Sequence, residues 1–98
     1  MKEITIDNSK YYVGQNITEN DKLYKEMPLN AEWFHLDSDS SAHVYCICDK
    51  LTKKEIKQAS ILVRKFSKGQ GQVIHIKKNK IKRVGPGLIE VCDVPKKS

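Results

Sequence analysis

The chain of 98 residues contains no stretch of 18 or more consecutive apolar residues, which excludes a transmembrane helix. Cysteine is scarce and odd in number, with Cys46, Cys48 and Cys92 as the three. In an extended run, Cys46 and Cys48 stand about 7 Å apart between α-carbons, too far for an easy bridge between them. The opening Met1-Lys2-Glu3-Ile4 lacks the apolar centre of a secretory signal, so a reducing, cytoplasmic setting with buried thiols is expected. Five glycines and three prolines are too few for a collagenous or low-complexity chain. No internal repeat and no charge-poor linker divides the sequence, so one domain with one small core is expected.

Charge is present in quantity and unevenly placed. Residues 1–49 hold four lysines and nine acids, net −5, whereas residues 50–98 hold 14 lysines or arginines and three acids, net +11. Such a split favours a negatively charged partner, with nucleic acid ahead of a membrane surface.

Ile4 and Ile6 alternate with polar residues, Asp7-Asn8-Ser9 supplies a turn, and Lys10 to Val13 resumes a strand, which predicts an N-terminal hairpin. Thr18 with Asp21 forms a weak capping box ahead of Leu23, Tyr24 and Met27, predicting a short helix that ends before Pro28. Glu32 to Leu36 and His43 to Cys48 read as paired strands around a polar loop, in which Asp37 and Asp39 serve as turn residues. Thr52 and Glu55 form a better capping box, and Ile56, Ala59, Leu62, Val63 and Phe66 recur at helical spacing, predicting a helix over 53–67. Lys53, Lys57, Arg64 and Lys68 fall on its opposite side, while Ile61 lies near that basic face and off the apolar stripe. Val73 to Lys78 and Lys80 to Val84 are strand-like around Asn79, Gly85-Pro86-Gly87 turns the chain, and Leu88 to Val91 closes the domain. The expected architecture is α+β over residues 1–94, a mostly antiparallel sheet with one long helix and a shorter N-terminal one, followed by a loose basic tail over 95–98.

The residues that could carry chemistry are few. His35, His43, His75 and the cysteines match no metal-ligand spacing, and strand alternation turns His43 away from Cys46 and Cys48, so no metal site and no cofactor is expected. Gly69-Gln70-Gly71 lacks the lysine and the strand–loop–helix context of a phosphate loop and reads as a helix stop. The strongest signal is Lys77-Lys78-Asn79-Lys80-Ile81-Lys82-Arg83, five cations in seven residues, read as a cationic hairpin tip that with Lys53, Lys57 and Arg64 would bind phosphates. Four or five single-strand phosphate contacts predict a salt slope of about −3. Alternation places Trp33 and His35 on one face as candidates for base recognition, with Phe34 and Leu36 on the core side.

Val13-Gly14-Gln15-Asn16, Asn20-Asp21-Lys22-Leu23, Glu32-Trp33-Phe34-His35-Leu36, Ser41-Ala42-His43-Val44 and Gly85-Pro86-Gly87-Leu88 resemble, in order and spacing, the NFACT-R domain. The resemblance spans nearly the whole chain, and the Trp-Phe-His and Ser-Ala-His-Val pair is its specific part. Where most of the family has Gly-Ser-His this chain has Ser41-Ala42-His43, which is similar to the standalone eukaryotic coiled-coil-domain-containing branch. The sequence carries neither that branch's helical extension nor the other domains of the large NFACT proteins. An elongating role in C-terminal tailing is therefore not carried over from the resemblance.

The resemblance implies an RNA-binding module of ribosome-associated quality control, acting with a large ribosomal subunit and transfer RNA. It points to Gly14, Asn20, Asp21, Trp33, His35, Ser41, His43 and Gly87 as motif positions. Gly14 and Gly87 read as backbone requirements, and His35, Ser41 and His43 as donors and acceptors suited to phosphate or ribose. The expected function is thus a non-enzymatic RNA binder for transfer or ribosomal RNA. DNA binding, or docking on a ribosome-associated protein through the acidic half and Ile61, is the alternative.

Overall fold

The computed structural model describes residues 2–37, 41–48, 50–69 and 71–98. Asp39 of the expected turn pair and Gln70 between its two glycines lie outside the described residues. β1 (Lys2–Ile6) and β2 (Ser9–Gly14) form the predicted hairpin, with Ile6 opposite Ser9. Asp7 and Asn8 between them both take positive φ, 50° and 71°. That conformation matches the twist of the flanking strands, and short polar side chains tolerate it.

α1 (Ile17–Glu26) starts from Asn16 rather than Thr18. Asn16 Oδ1 accepts from the Glu19 backbone N–H at 2.9 Å, and the Glu19 carboxylate accepts from the Gln15 N–H at 3.0 Å. Asparagine is the stronger cap, and Glu19 stands at the third helical position, so this pair displaces the predicted Thr18–Asp21 box. Asp21 is drawn to Arg83 instead.

β3 (Glu32–Leu36) and β4 (His43–Cys46) pair antiparallel as predicted, Phe34 opposite Val44. With β5 (Val73–Lys77) and β8 (Lys96–Lys97) they complete a six-stranded antiparallel sheet of order β1-β2-β4-β3-β5-β8. The tail is therefore not loose: Lys96 and Lys97 pair with His75 and Ile74, and the Ser98 N–H bonds to the Val73 carbonyl at 3.0 Å.

The cationic run is not a hairpin either. After Lys77 the chain leaves the sheet through a 3₁₀ turn (Lys78–Lys80), because the Lys78 and Asn79 N–H groups bond to Ala31 and Leu29 carbonyls at 2.8 and 3.1 Å. It then enters β6 (Ile81–Gly85), which pairs with β7 (Leu88–Val91) in a separate two-stranded sheet.

α2 (Lys53–Phe66) forms within the predicted span, with the Thr52–Glu55 capping box complete; Lys68 falls beyond its end. α2 packs Ala59, Leu62 and Val63 on the sheet face that carries Phe34, Leu36, Val44 and Cys46. The other face, with Trp33, Tyr45, Ile74 and Ile76, is covered by Leu23 of α1 and Ile81 of β6. Alternation along β3 and β4 thus feeds two cores, and this second face holds the candidate site.

Candidate functional site

Neighbouring strands bring Trp33 and His35 of β3 beside His43 of β4. The Trp33 and His35 rings stack at 5.2 Å and 16°, and His43 stands edge-on to both, at 5.6 and 4.8 Å. The three rings sit at a cleft of about 630 Å³ that Asn20, Ser41 and Gly87 also line, a volume in the range of small-ligand sites. Six of the eight motif positions therefore converge there from four separate segments. Ile17 and Leu88, 65% and 61% exposed, stand among its apolar walls, and no lysine or arginine lines it among the described residues.

Hydrogen bonding fixes the tautomer of each neutral histidine ring. The indole N–H of Trp33 can only donate, so His43 Nδ1 accepts at 3.2 Å and the neutral ring carries its proton on Nε2. The Leu36 carbonyl can only accept, so His35 Nδ1 donates at 2.5 Å and leaves Nε2 as an acceptor. Burial pushes the His43 pKa down to about 3, with the nearby His35 adding to the shift. Burial also lowers His35, opposed by its bond to the Leu36 carbonyl. At neutral pH the pair is uncharged, one ring offering a donor and the other an acceptor, which suits a polar edge better than a phosphate.

Trp33 is only 3% exposed with its N–H committed, so it backs His35 rather than presenting its own face. Ser41 accepts from the Leu36 N–H at 3.1 Å and donates to the Ala42 carbonyl at 2.9 Å, which pins the approach to β4. Asn20 is 8% exposed and its Oδ1 has no partner among the described residues.

Gly14 and Gly87 are steric requirements. A Cβ on Gly14 would lie 2.3 Å from Asn20 Oδ1, and one on Gly87, whose φ is +67°, 3.1 Å from the Ile17 α-carbon. Asp21 holds the β6–β7 turn over α1: it accepts from Arg83 Nε at 2.5 Å and from the Gly87 N–H at 3.3 Å. Arg83 lowers the Asp21 pKa to about 2. These motif residues shape the cleft rather than contact what enters it.

The cationic run is largely committed within the fold. Lys77 donates to the carbonyls of Asn30 and Cys48 at 2.9 and 3.3 Å and lies 3.6 Å from Glu32. Lys78 is buried, bonded to the Met27 carbonyl, and its ammonium lies 4.8 Å from the Tyr24 ring centre. Lys80 pairs with Asp93 at 3.3 Å and Arg83 with Asp21. Lys82 is exposed, opposite Glu90 in register. Lys53, Lys57 and Arg64 are exposed on α2, across the sheet from the histidine cleft.

A second cleft of about 510 Å³ gathers lysines that the linear reading did not assemble. Lys50, Lys77, Lys80, Lys96 and Lys97 line it, around the buried Glu32–His75 pair at 2.6 Å. The signal for the last two was there, since lysines are a common guard on edge strands, but a two-residue strand has no periodicity to read. His75 stacks on Phe34 at 5.0 Å on the α2 side, away from His35 and His43.

Donor atoms of Cys46, Cys48 and Glu55 come within 4.8 Å of one another. Burial raises both thiol pKa values, and the carboxylate already accepts from Thr52 and Ser9 at 3.0 Å each. These donors meet their needs as a packed cluster.

No family model matches the sequence, and no curated protein does. Among solved structures, the C-terminal part of the fibronectin/fibrinogen-binding protein of Streptococcus suis matches with a TM-score of 0.84 and 25% identity. The match covers 98% of this chain and 42% of that one, so the chain spans less than half of its neighbour. That neighbour is an NFACT-family protein whose name describes binding and not turnover. The motifs and the architecture agree: this chain has the fold of the C-terminal region of an NFACT-family protein.

Proposed function

We propose that the chain is a non-enzymatic RNA-binding module acting in the cytoplasm on transfer or ribosomal RNA, in translation or ribosome-associated quality control. The observation that carries this reading is the convergence of Trp33, His35, His43 and Asn20 on one cleft, with Asp37 its one charged lining residue among those described, and a lysine-lined cleft at the same β5–β8 edge. The first offers hydrogen bonds and apolar walls to a base or sugar, the second offers charge to the backbone. A His43 held near pKa 3 with Nδ1 committed to Trp33 is poorly poised for acid–base catalysis near neutrality.

Mobility shifts with transfer RNA, ribosomal RNA fragments and duplex DNA across a salt series test it. With Lys77, Lys78, Lys80 and Arg83 paired within the chain, Lys82, Lys96 and Lys97 leave about three phosphate contacts, so the expected salt slope is about −2 rather than −3. A complex absent even at low salt overturns the reading.

A second reading, docking on a protein, is favoured by Ile61, 52% exposed on the solvent side of α2. Capture of a partner that survives nuclease and is lost in Ile61→Glu would establish it.

A further inference from the structure

The two clefts share a boundary. Ile74 and Pro95 line the first and their chain neighbours His75 and Lys96 line the second, where β5 and β8 run side by side. The first, with Asp37 its one charged lining residue among those described, opens on the Trp33 face and the second gathers around the Glu32–His75 pair on the α2 side, so a strand passing over the β8 edge goes from histidines to lysines.

We infer that the partner presents an unpaired nucleotide, whose base enters the Trp33–His35–His43 cleft while its neighbouring phosphates lie on Lys96 and Lys97. This rests on the reading of the chain as an RNA binder and narrows it to single-stranded segments. An unpaired base has two apolar faces and a hydrogen-bonding edge. For the faces the cleft offers the His35 ring, backed by Trp33 at 5.2 Å, and the exposed side chains of Ile17 and Leu88. For the edge it offers a donor on His43 Nε2 and an acceptor on His35 Nε2.

The Asn20 oxygen is closed off from the cleft and packs toward Gly14, so Asn20 shapes the wall beside the two rings. No cation lines this cleft among the described residues, so phosphates have to lie outside it, and Lys96 and Lys97 are the lysines that adjoin it in the chain. A duplex keeps its bases stacked and paired and presents only groove edges, which a concave cleft between α1 and the β6–β7 turn does not admit.

Trp33 is the only tryptophan and touches both histidines, so its fluorescence reports on the cleft. The whole chain is titrated with a short single-stranded RNA, with the same strand made abasic, and with a duplex of equal charge. The intact strand is expected to shift Trp33 emission and to bind at least about tenfold more tightly than the other two. His35→Ala and Leu88→Ala, each checked for an unchanged melting transition, should weaken the intact strand about tenfold and leave the abasic strand as it was. Replacing Lys96 and Lys97 together by Ala should weaken both strands alike and reduce the salt slope by about 1.4, two contacts at roughly 0.7 each.

Equal affinity for intact, abasic and duplex forms overturns the inference while RNA binding stands. So does a pair of cleft variants that, though folded, bind the intact strand as the parent does. Failure of all three ligands and of transfer RNA at low salt overturns the RNA-binding reading itself.

Discussion

His43 couples the cleft to stability through its buried, neutral ring. Its ordinary pKa of 6.5 applies in the unfolded chain and falls to about 3 in the fold. Between those values the unfolded state binds more protons, so stability falls as pH falls, by about 1.4 kcal/mol per pH unit for a buried group. Urea unfolding followed by Trp33 fluorescence from pH 7 to pH 4 should show this slope, and His43→Gln, which keeps an acceptor for the indole but cannot titrate, should reduce it to what the likewise lowered His35 leaves. The motif glycines act at the same scale. Gly14→Ala sets a methyl 2.3 Å from Asn20 Oδ1 and 3.1 Å from Leu23, and should cost about 1–3 kcal/mol by overpacking. Gly87→Ala meets a left-handed backbone and the Ile17 backbone together, so about 1–2 kcal/mol of conformational strain is added to a close contact. Both are read from the denaturant midpoint.

Elements whose signals are local were legible in the sequence, and α2 is the clearest. The Thr52 hydroxyl accepts from the Glu55 N–H at 3.2 Å and Glu55 accepts from the Thr52 N–H at 3.0 Å, the exchange that the residue spacing predicts. Thr52→Ala should cost about 1 kcal/mol. Glu55→Ala should cost more, because it also frees Ser9 of β2; thermal melts of the two variants make the comparison. The β6–β7 hairpin was legible only in part. Gly85-Pro86-Gly87 marks its turn, but its separation from β5 depends on Lys78 and Asn79 bonding to carbonyls nearly fifty residues earlier, which no local pattern encodes. Its anchor is equally non-local: Asp21→Asn weakens the hold on Arg83 and Gly87, and the Gly87 amide should then exchange faster with deuterium while α2 amides keep their rates.

Across the whole molecule, the division of charge along the chain does not survive as a division in space. Lys77 and Lys78 turn to carbonyls of earlier segments, and Lys80 and Arg83 pair at the surface with Asp93 and Asp21, so the densest cationic run is mostly structural. The face alternation that separates Trp33 and His35 from Phe34 was readable because strand geometry is local. That Asn20, Gly87 and Pro95 would join them was not, because it depends on how α1, the β6–β7 turn and β8 pack over one sheet face. Two of the lysines left to act sit instead on β8. That strand is two residues long and cationic, and it covers only Ile74 and His75 of β5. Short, lysine-bearing edges are how sheets discourage other chains from adding strands. Lys96 and Lys97 therefore stand between this domain and its own copies as well as beside its cleft: removal of residues 95–98 should open the β5 edge and produce concentration-dependent self-association beyond that of the intact chain, visible by sedimentation.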